Sequence, residues 1–228
     1  MTIELKKKQI IDLSKKAAFA INMHRLGGKK AQVVLVLDIS KSMNALYRSG
    51  VIQNVIERIL ALALNFDDDG SIDIFLFGTD AYSLPSITIN DFDNYVQLVI
   101  LSKYKINEAT KYAPALKLLW DKYHGKQSDP VFVIFLTDGG NSDKRETENI
   151  IRSISTEPIF IQFVGIGAEE FPFLRKLDQL KGRLIDNAGF MHVNDIINID
   201  DSELYNRLLN EFPIWIEKAN EMRIFRSN

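Results

Sequence analysis

Apolar residues recur along this chain at two alternating periods. Ile3, Ile10, Leu13, Ala17 and Ile21 fall near a helical spacing, which predicts a helix over 3–24 that LGGKK at 26–30 ends. AQVVLVL (31–37) is almost continuously apolar, the pattern of a strand covered on both faces. Over 50–65, Val51, Val55, Ile59 and Ala63 form one row and Ile52, Ile56, Leu60 and Leu64 the next. So wide a stripe predicts a helix lying on a sheet, closed by NFDDDG (65–70). SIDIFLF (71–77) and AYSLPSITI (81–89) predict two strands joined by the short turn Gly78–Asp80, and 91–100 a short helix. Ala113, Leu116, Trp120 and Tyr123 mark a helix over 112–123, with Pro114 in its first turn, where proline is tolerated. Strands then follow at VFVIFL (131–136), PIFIQFVGIG (158–167) and GFMHV (189–193), separated by helices over 145–155 and 171–181. The segment 202–222 is helical and restarts at Pro213.

Strands alternating with helices of this length predict an α/β fold: a doubly wound, mostly parallel sheet with helices on both faces. The 77-to-81 connection is too short for a crossover, so one edge strand is antiparallel. There is no internal repeat, long linker or low-complexity tract. The organisation expected is a basic N-terminal helix (1–30) packed on an α/β domain (31–200), with a helical extension of the same domain at 201–228.

Composition narrows the setting. No apolar run approaches the length that spans a bilayer, and MTIELKKKQIIDLSKK lacks the apolar block and small-residue site of a secretory signal. Cysteine is absent, which excludes disulfides, thiolate metal sites and thiol catalysis. The expectation is a soluble, cytoplasmic protein. Residues 1–30 carry eight Lys/Arg against two acids in a chain of net charge −2. That face suits water, and equally acidic partners or lipid headgroups. Aromatics do not interleave with its lysines, so nucleic acid is not expected as a partner.

The candidate chemistry lies where apolar strands stop. VLDISKSM (36–43) leaves its strand through Asp38, followed at alternate positions by Ser40 and Ser42; LTDGG (136–140) ends a second buried strand in Asp138. Open α/β sheets build their sites outside the carboxyl ends of strands. If these two strands are neighbours, their carboxylates converge and repel unless a proton or cation lies between them. Alternate residues in an extended turn point the same way, so both serine hydroxyls can face the same spot as Asp38. Hydroxyls and carboxylates are hard oxygen ligands that suit magnesium, manganese or calcium rather than zinc or copper. One ligand is missing from this set, a third hydroxyl from another loop. Asp and Ser after a strand also serve as turn formers and helix caps.

With these residues in place the chain resembles the von Willebrand factor A (VWA) domain family, whose metal-ion-dependent adhesion site (MIDAS) joins D-x-S-x-S, a distant threonine and an aspartate in a T-D-G context. Asp38, Ser40 and Ser42 match the first element and Asp138 in FLTDGGNSDK the third. EATKYAPAL (108–116) supplies Thr110 for the second, with Ala109 where the family usually has glycine. A closer resemblance is to the TerF-like group of bacterial tellurium-resistance and stress proteins. It is carried by LYRSGVIQNVIERILALALNFDDDGSIDIFLFG, FVGIGAEEFPFLRKLDQLKGRLIDNAGF and ELYNRLLNEFPIWIEKA. The resemblance implies a metal site of Asp38, Ser40, Ser42, Thr110 and Asp138 holding a divalent cation, Mg2+ first, with Mn2+ or Ca2+ as alternatives. It implies a protein partner that supplies an acidic side chain to the ion, in a stress-response complex that could be peripheral to a membrane. The module would not be an enzyme, and the oligomeric state is left open.

A magnesium-dependent phosphohydrolase using Asp38 is the alternative, but such enzymes need a second aspartate two positions on, where Ser40 stands. No phosphate-binding G-x-x-x-x-G-K-[ST] loop is present, and GIG at 165–167 reads as a strand-end turn. His24, His124 and His192 lack metal-ligand spacing, DDDG (67–70) lacks the rest of a calcium loop, and Trp120 and Trp215 sit at core spacing.

Overall fold

The structure is a computed structural model that describes residues 2–66, 70–126 and 129–225. The DDDG turn therefore falls mostly outside the described residues. Helix α1 (Ile3–Met23) leads to strand β1 (Gln32–Asp38), a 3₁₀ turn at Lys41–Met43, and helices α2 (Asn44–Arg48) and α3 (Val51–Ala63). Strands β2 (Ile72–Phe77) and β3 (Ala81–Ser83) precede a single π-helical turn at Val96–Ile100 and helix α4 (Ala113–Tyr123). Then come β4 (Val131–Thr137), α5 (Lys144–Ile154), β5 (Ile159–Ile166), α6 (Pro172–Asp178), β6 (Ala188–Val193), α7 (Asp201–Leu208) and α8 (Phe212–Glu221).

The six strands form one sheet in the order β3-β2-β1-β4-β5-β6, parallel except for the antiparallel pair β2–β3. The chain runs from β1 outward through β2 to β3, then returns to the other side of β1 to lay down β4. The strand order thus reverses between β1 and β4, which places the crevice between their carboxyl ends. Two sequence expectations shorten here. The strand over 81–89 ends at Ser83 because Pro85 cannot donate to a ladder, and one bridge, Ile72 to Ile87, continues the pairing. The helix over 91–100 is reduced to the π turn.

Side-chain alternation divides the core into two. Val33, Leu35 and Leu37 of β1, with Phe132, Ile134 and Leu136 of β4, face a cluster completed by residues of α1, α3, α7 and α8. Val34 and Val36, with Val131, Val133 and Phe135, face a second cluster built with α4, α5 and α6. Trp215 is buried in the first cluster, whereas Trp120 only packs at the margin of the second, stacked on His124 at 4.3 Å between ring centroids.

A buried cation fastens the helical layer. The Arg58 guanidinium of α3 donates to the carbonyls of Ile196 (2.6 Å) and Ile199 (2.9 Å) and pairs with Asp201 at 2.8 Å. Tyr205 of α7 donates to the Arg58 carbonyl, and Lys16 of α1 reaches Asp201 at 2.7 Å. The segment between β6 and α7 is thus held from the opposite side by α3 and α1.

Candidate functional site

Register explains how the first carboxylate is placed. Leu37 pairs with Leu136, so Asp38 and Thr137 are the next residues on adjacent strands. Both have the parity of Val36 and Phe135, so their side chains leave the sheet on the α4 face. The Thr137 hydroxyl donates to Asp38 Oδ2 at 2.6 Å, and the Ser40 backbone N–H donates to Asp38 Oδ1 at 2.7 Å. Asp38 is fully buried and both its oxygens are taken by neutral donors.

The second carboxylate is joined to the first through the serines. Ser42 Oγ donates to Asp138 Oδ1 at 2.8 Å and lies 3.2 Å from Ser40 Oγ. Asp38, Ser40, Ser42 and Asp138 therefore meet in one hydrogen-bonded chain, in the crevice where the strand order reverses. Among the described residues no lysine, arginine or histidine forms an ion pair with either aspartate.

Electrostatics follow from that omission. Burial raises the Asp38 carboxyl to about 6; the bonds from Thr137 and Ser40 oppose the rise, and the charge of Asp138 adds to it. Burial also raises Asp138, opposed by the Ser42 bond and reinforced by Glu169. A buried carboxylate beside a half-buried one, with no counter-charge among the described residues, is an environment in which a bound dication gains much.

Thr110 arrives on a loop docked against the serine turn. Glu108 N–H donates to the Ile39 carbonyl and Lys41 N–H to the Glu108 carbonyl, both at 3.3 Å, and Lys111 N–H donates to the Gly78 carbonyl at 2.9 Å. The Thr110 carbonyl accepts from Ser142 N–H (3.1 Å) and Ser142 Oγ (3.3 Å) in the loop after β4. The backbone of Thr110 is thus joined to the Asp138 loop. Among the described residues no hydrogen bond links its hydroxyl to Asp38, Ser40, Ser42 or Asp138. Ala109 is exposed and has no positive φ, so its methyl group is accommodated without a glycine.

Several residues that position the site carry no motif. Glu108 caps the β2–β3 turn: Oε2 accepts from Thr79 N–H at 2.7 Å and Oε1 from Tyr82 OH at 3.1 Å. Its packing leaves no room for a Cβ on Gly78, which would lie 2.4 Å from Glu108 Cβ. Asp143 accepts from the N–H groups of Tyr112 (3.1 Å) and Ala113 (2.7 Å), capping α4 from the Asp138 loop. Tyr112 OH donates to the Gly139 carbonyl at 2.6 Å, with its ring buried between Phe77 and Phe135. The sequence signal for Thr137 was its place in the T-D-G context of Asp138; its bond to Asp38 follows from the register of β1 and β4. Glu108, Tyr112 and Asp143 act across loops far apart in sequence, where pattern says nothing.

The donor set is chemically consistent with a hard cation. It holds two carboxylates and the hydroxyls of Ser40 and Ser42, with Thr110 on the adjoining loop. Among the described residues no three His, Cys, Asp or Glu side chains gather, so no softer or more highly charged site competes with it. The histidines lie elsewhere: His124 Nδ1 is 2.9 Å from Glu157, and His192 Nε2 is 2.6 Å from the carbonyl of Gly167, whose φ of 98° closes the GIG turn.

A family model, vWA-TerF-like, described as the vWA found in the TerF C terminus, matches residues 30–225. The uncharacterized protein YcbR of Bacillus subtilis (strain 168) is 42% identical over 221 residues, 95% of this chain and 90% of its own. Among solved structures, the SpRpn10 VWA domain is similar in fold, with a TM-score of 0.57 at 13% identity over 81% of this chain and 96% of that one. Proximal thread matrix protein 1 from the mussel byssus, solved with a zinc-occupied MIDAS motif, gives a TM-score of 0.59 at 16% identity, over 80% of this chain and 46% of that one.

Proposed function

The chain belongs to the vWA-TerF-like family, and from that premise we propose that it is a protein-recognition module whose binding depends on a divalent cation held at the β1–β4 crevice. The observation that carries this reading is the pair of carboxylates, buried Asp38 and half-buried Asp138, joined through Ser40 and Ser42 and, among the described residues, without an ion-pairing Lys, Arg or His. Asp38, Ser40, Ser42, Thr110 and Asp138 would hold the ion. Oxygen-only ligands favour magnesium, with manganese and calcium as the nearest substitutes. The fold neighbour with an occupied MIDAS supports a cation in this architecture and leaves its identity to the donor set.

When bound, the cation supplies a strong electrophilic point charge. The chain's own residues determine what that charge can do. Thr137 and the Ser40 N–H fix the rotamer of Asp38; Ser42 fixes Asp138; Tyr112 fixes the Gly139 carbonyl beside it. Three of the five residues offer neutral hydroxyls and the two carboxylates do no more than balance the ion's charge, so an open coordination position would still accept a carboxylate from a partner. The phosphohydrolase alternative fits less well. Both oxygens of Asp38 are engaged by neutral donors, and Ser40 stands where the acid/base would be needed. The module works in the cytoplasm, within a bacterial tellurium-resistance or stress-response complex. A role for the chain as the reductant of tellurite is disfavoured by its lack of cysteine.

The direct test is retention of partners from bacterial lysate on the immobilised chain with magnesium and with chelator. Partners released by chelator and not retained by Asp38→Ala support the reading. Partners indifferent to both would refute it.

A further inference from the structure

A cleft of about 580 Å³ opens beside the two carboxylates and shares Ser42 and Asp138 with them. Its floor is apolar, made by Leu46, Val51, Ile166 and Ile196. Its rim is acidic, with Glu169 from the turn after β5 and Asp195 from the turn after β6, and Ile197 stands there 48% exposed. Resting on the metal reading above, we propose that this cleft reads a partner segment in which the metal-seeking acidic side chain is accompanied by an aliphatic and a basic side chain.

Three observations argue for that composition. First, the carboxylates of Glu169 and Asp195 line the same cleft as Asp138, so a carboxylate entering it meets like charge. An acid-only segment is repelled there, and a neighbouring cation on the same segment turns the repulsion into attraction. Second, the apolar residues and exposed Ile197 line the same cleft as Ser42 and Asp138, so an aliphatic group beside the acid covers surface that water otherwise wets. Third, the wall is built before any partner arrives. Asp195 accepts from the N–H groups of Ile197 (3.0 Å) and Asn198 (3.2 Å) and from Asn198 Nδ2 (2.7 Å), while Arg58 holds the Ile196 carbonyl. The donors on Asp195 are neutral, so its charge still faces the rim. A fixed wall loses little entropy on binding and discriminates by shape and charge.

The test is selection of short random displayed peptides on the magnesium-loaded full chain, eluted with chelator. The expected result is enrichment of sequences that place an aliphatic and a basic residue beside an acid. On Glu169→Lys, with magnesium raised to saturate the site because the new ammonium near Asp138 weakens the ion's hold, the basic preference is lost and an acidic one replaces it. Ile197→Ser weakens the enriched peptide about tenfold with unchanged metal affinity by calorimetry. Chelator-released peptides that share only an acid, or a basic preference that Glu169→Lys does not move, overturn the cleft proposal and leave the metal reading standing. Peptides that survive chelator or bind Asp38→Ala equally overturn both. No enrichment on protein that calorimetry shows to hold magnesium also overturns the cleft proposal.

Discussion

Two aspartates are buried in neighbouring parallel strands of this sheet, and they have opposite surroundings. Asp73 of β2 is pushed up by burial, but Lys122 at 2.6 Å and hydrogen bonds from Ser86 and Tyr123 overcome that, and its carboxyl lies below the ordinary range. Asp38 of β1 is surrounded by hydroxyls and an N–H, keeps no ammonium or guanidinium, and lies up at about 6. The first is a finished ion pair at the amino-terminal half of its strand. The second is an unfinished one at the carboxyl end of the next strand. A buried charge the protein neutralises itself is architecture; one it leaves open beside a second carboxylate is a request for an outside cation.

The largest effect that could break this contrast is loss of the ion. Asp38→Ala or Asp138→Ala should reduce calorimetric magnesium or manganese binding below detection, whereas Asp73→Asn should leave it unchanged. Equal losses in all three would erase the distinction.

Stability should respond in the opposite sense. The Asp38 carboxyl has an ordinary value of 3.8 unfolded and about 6 folded. The metal-free fold is therefore most favoured where Asp38 is protonated, and that stability is lost as pH rises from about 4 through about 6. The ionised group costs the fold about 3 kcal/mol at most near neutral pH. With chelator present, Asp38→Asn should melt higher than the parent at about pH 7, and the gap should close toward about pH 4. A lower melting point for the variant at neutral pH would mean that Asp38 is already compensated. The same protonation should weaken magnesium binding below about pH 6, read by calorimetry across pH.

Lys122→Met sharpens the other half. It leaves Asp73 with only hydroxyl donors and should destabilise the chain by about 1–2 kcal/mol in denaturant melts, a modest figure because Lys122 is itself 40% exposed. The smallest effect is expected from Tyr112→Phe. It frees the Gly139 carbonyl and should weaken metal binding about tenfold or less without moving the pH dependence set by Asp38.

Much of this was legible in the chain because the decisive signals are local. The apolar runs at 31–37 and 131–136 end in Asp38 and Asp138, and alternation alone directs Ser40 and Ser42 toward the same crevice. Strand alternation with helices predicted the parallel sheet, and the short Gly78–Asp80 link the antiparallel edge. What pattern could not reach is held by long-range contacts. Glu108 binding the Thr79 N–H, Asp143 capping α4 and Arg58 gripping the Ile196 carbonyl join residues with no periodic relation. Pro85 was visible, but its effect on the strand depended on where β2 ended its pairing. Trp120 kept a helical core spacing yet lies at a margin, because the cluster beneath α4 is filled by Tyr112, Leu116, Leu119 and Tyr123.

Arg58 has a consequence for how this surface can work. Its guanidinium stitches the start of α7 to α3, and Lys16 adds a seam to α1, so sliding α7 along the sheet would strand a buried positive charge. The wall of the cleft is accordingly a rigid template rather than a moving jaw. A partner that docks here has to arrive already fitting it, and discrimination between partners will show mainly in how long each one stays.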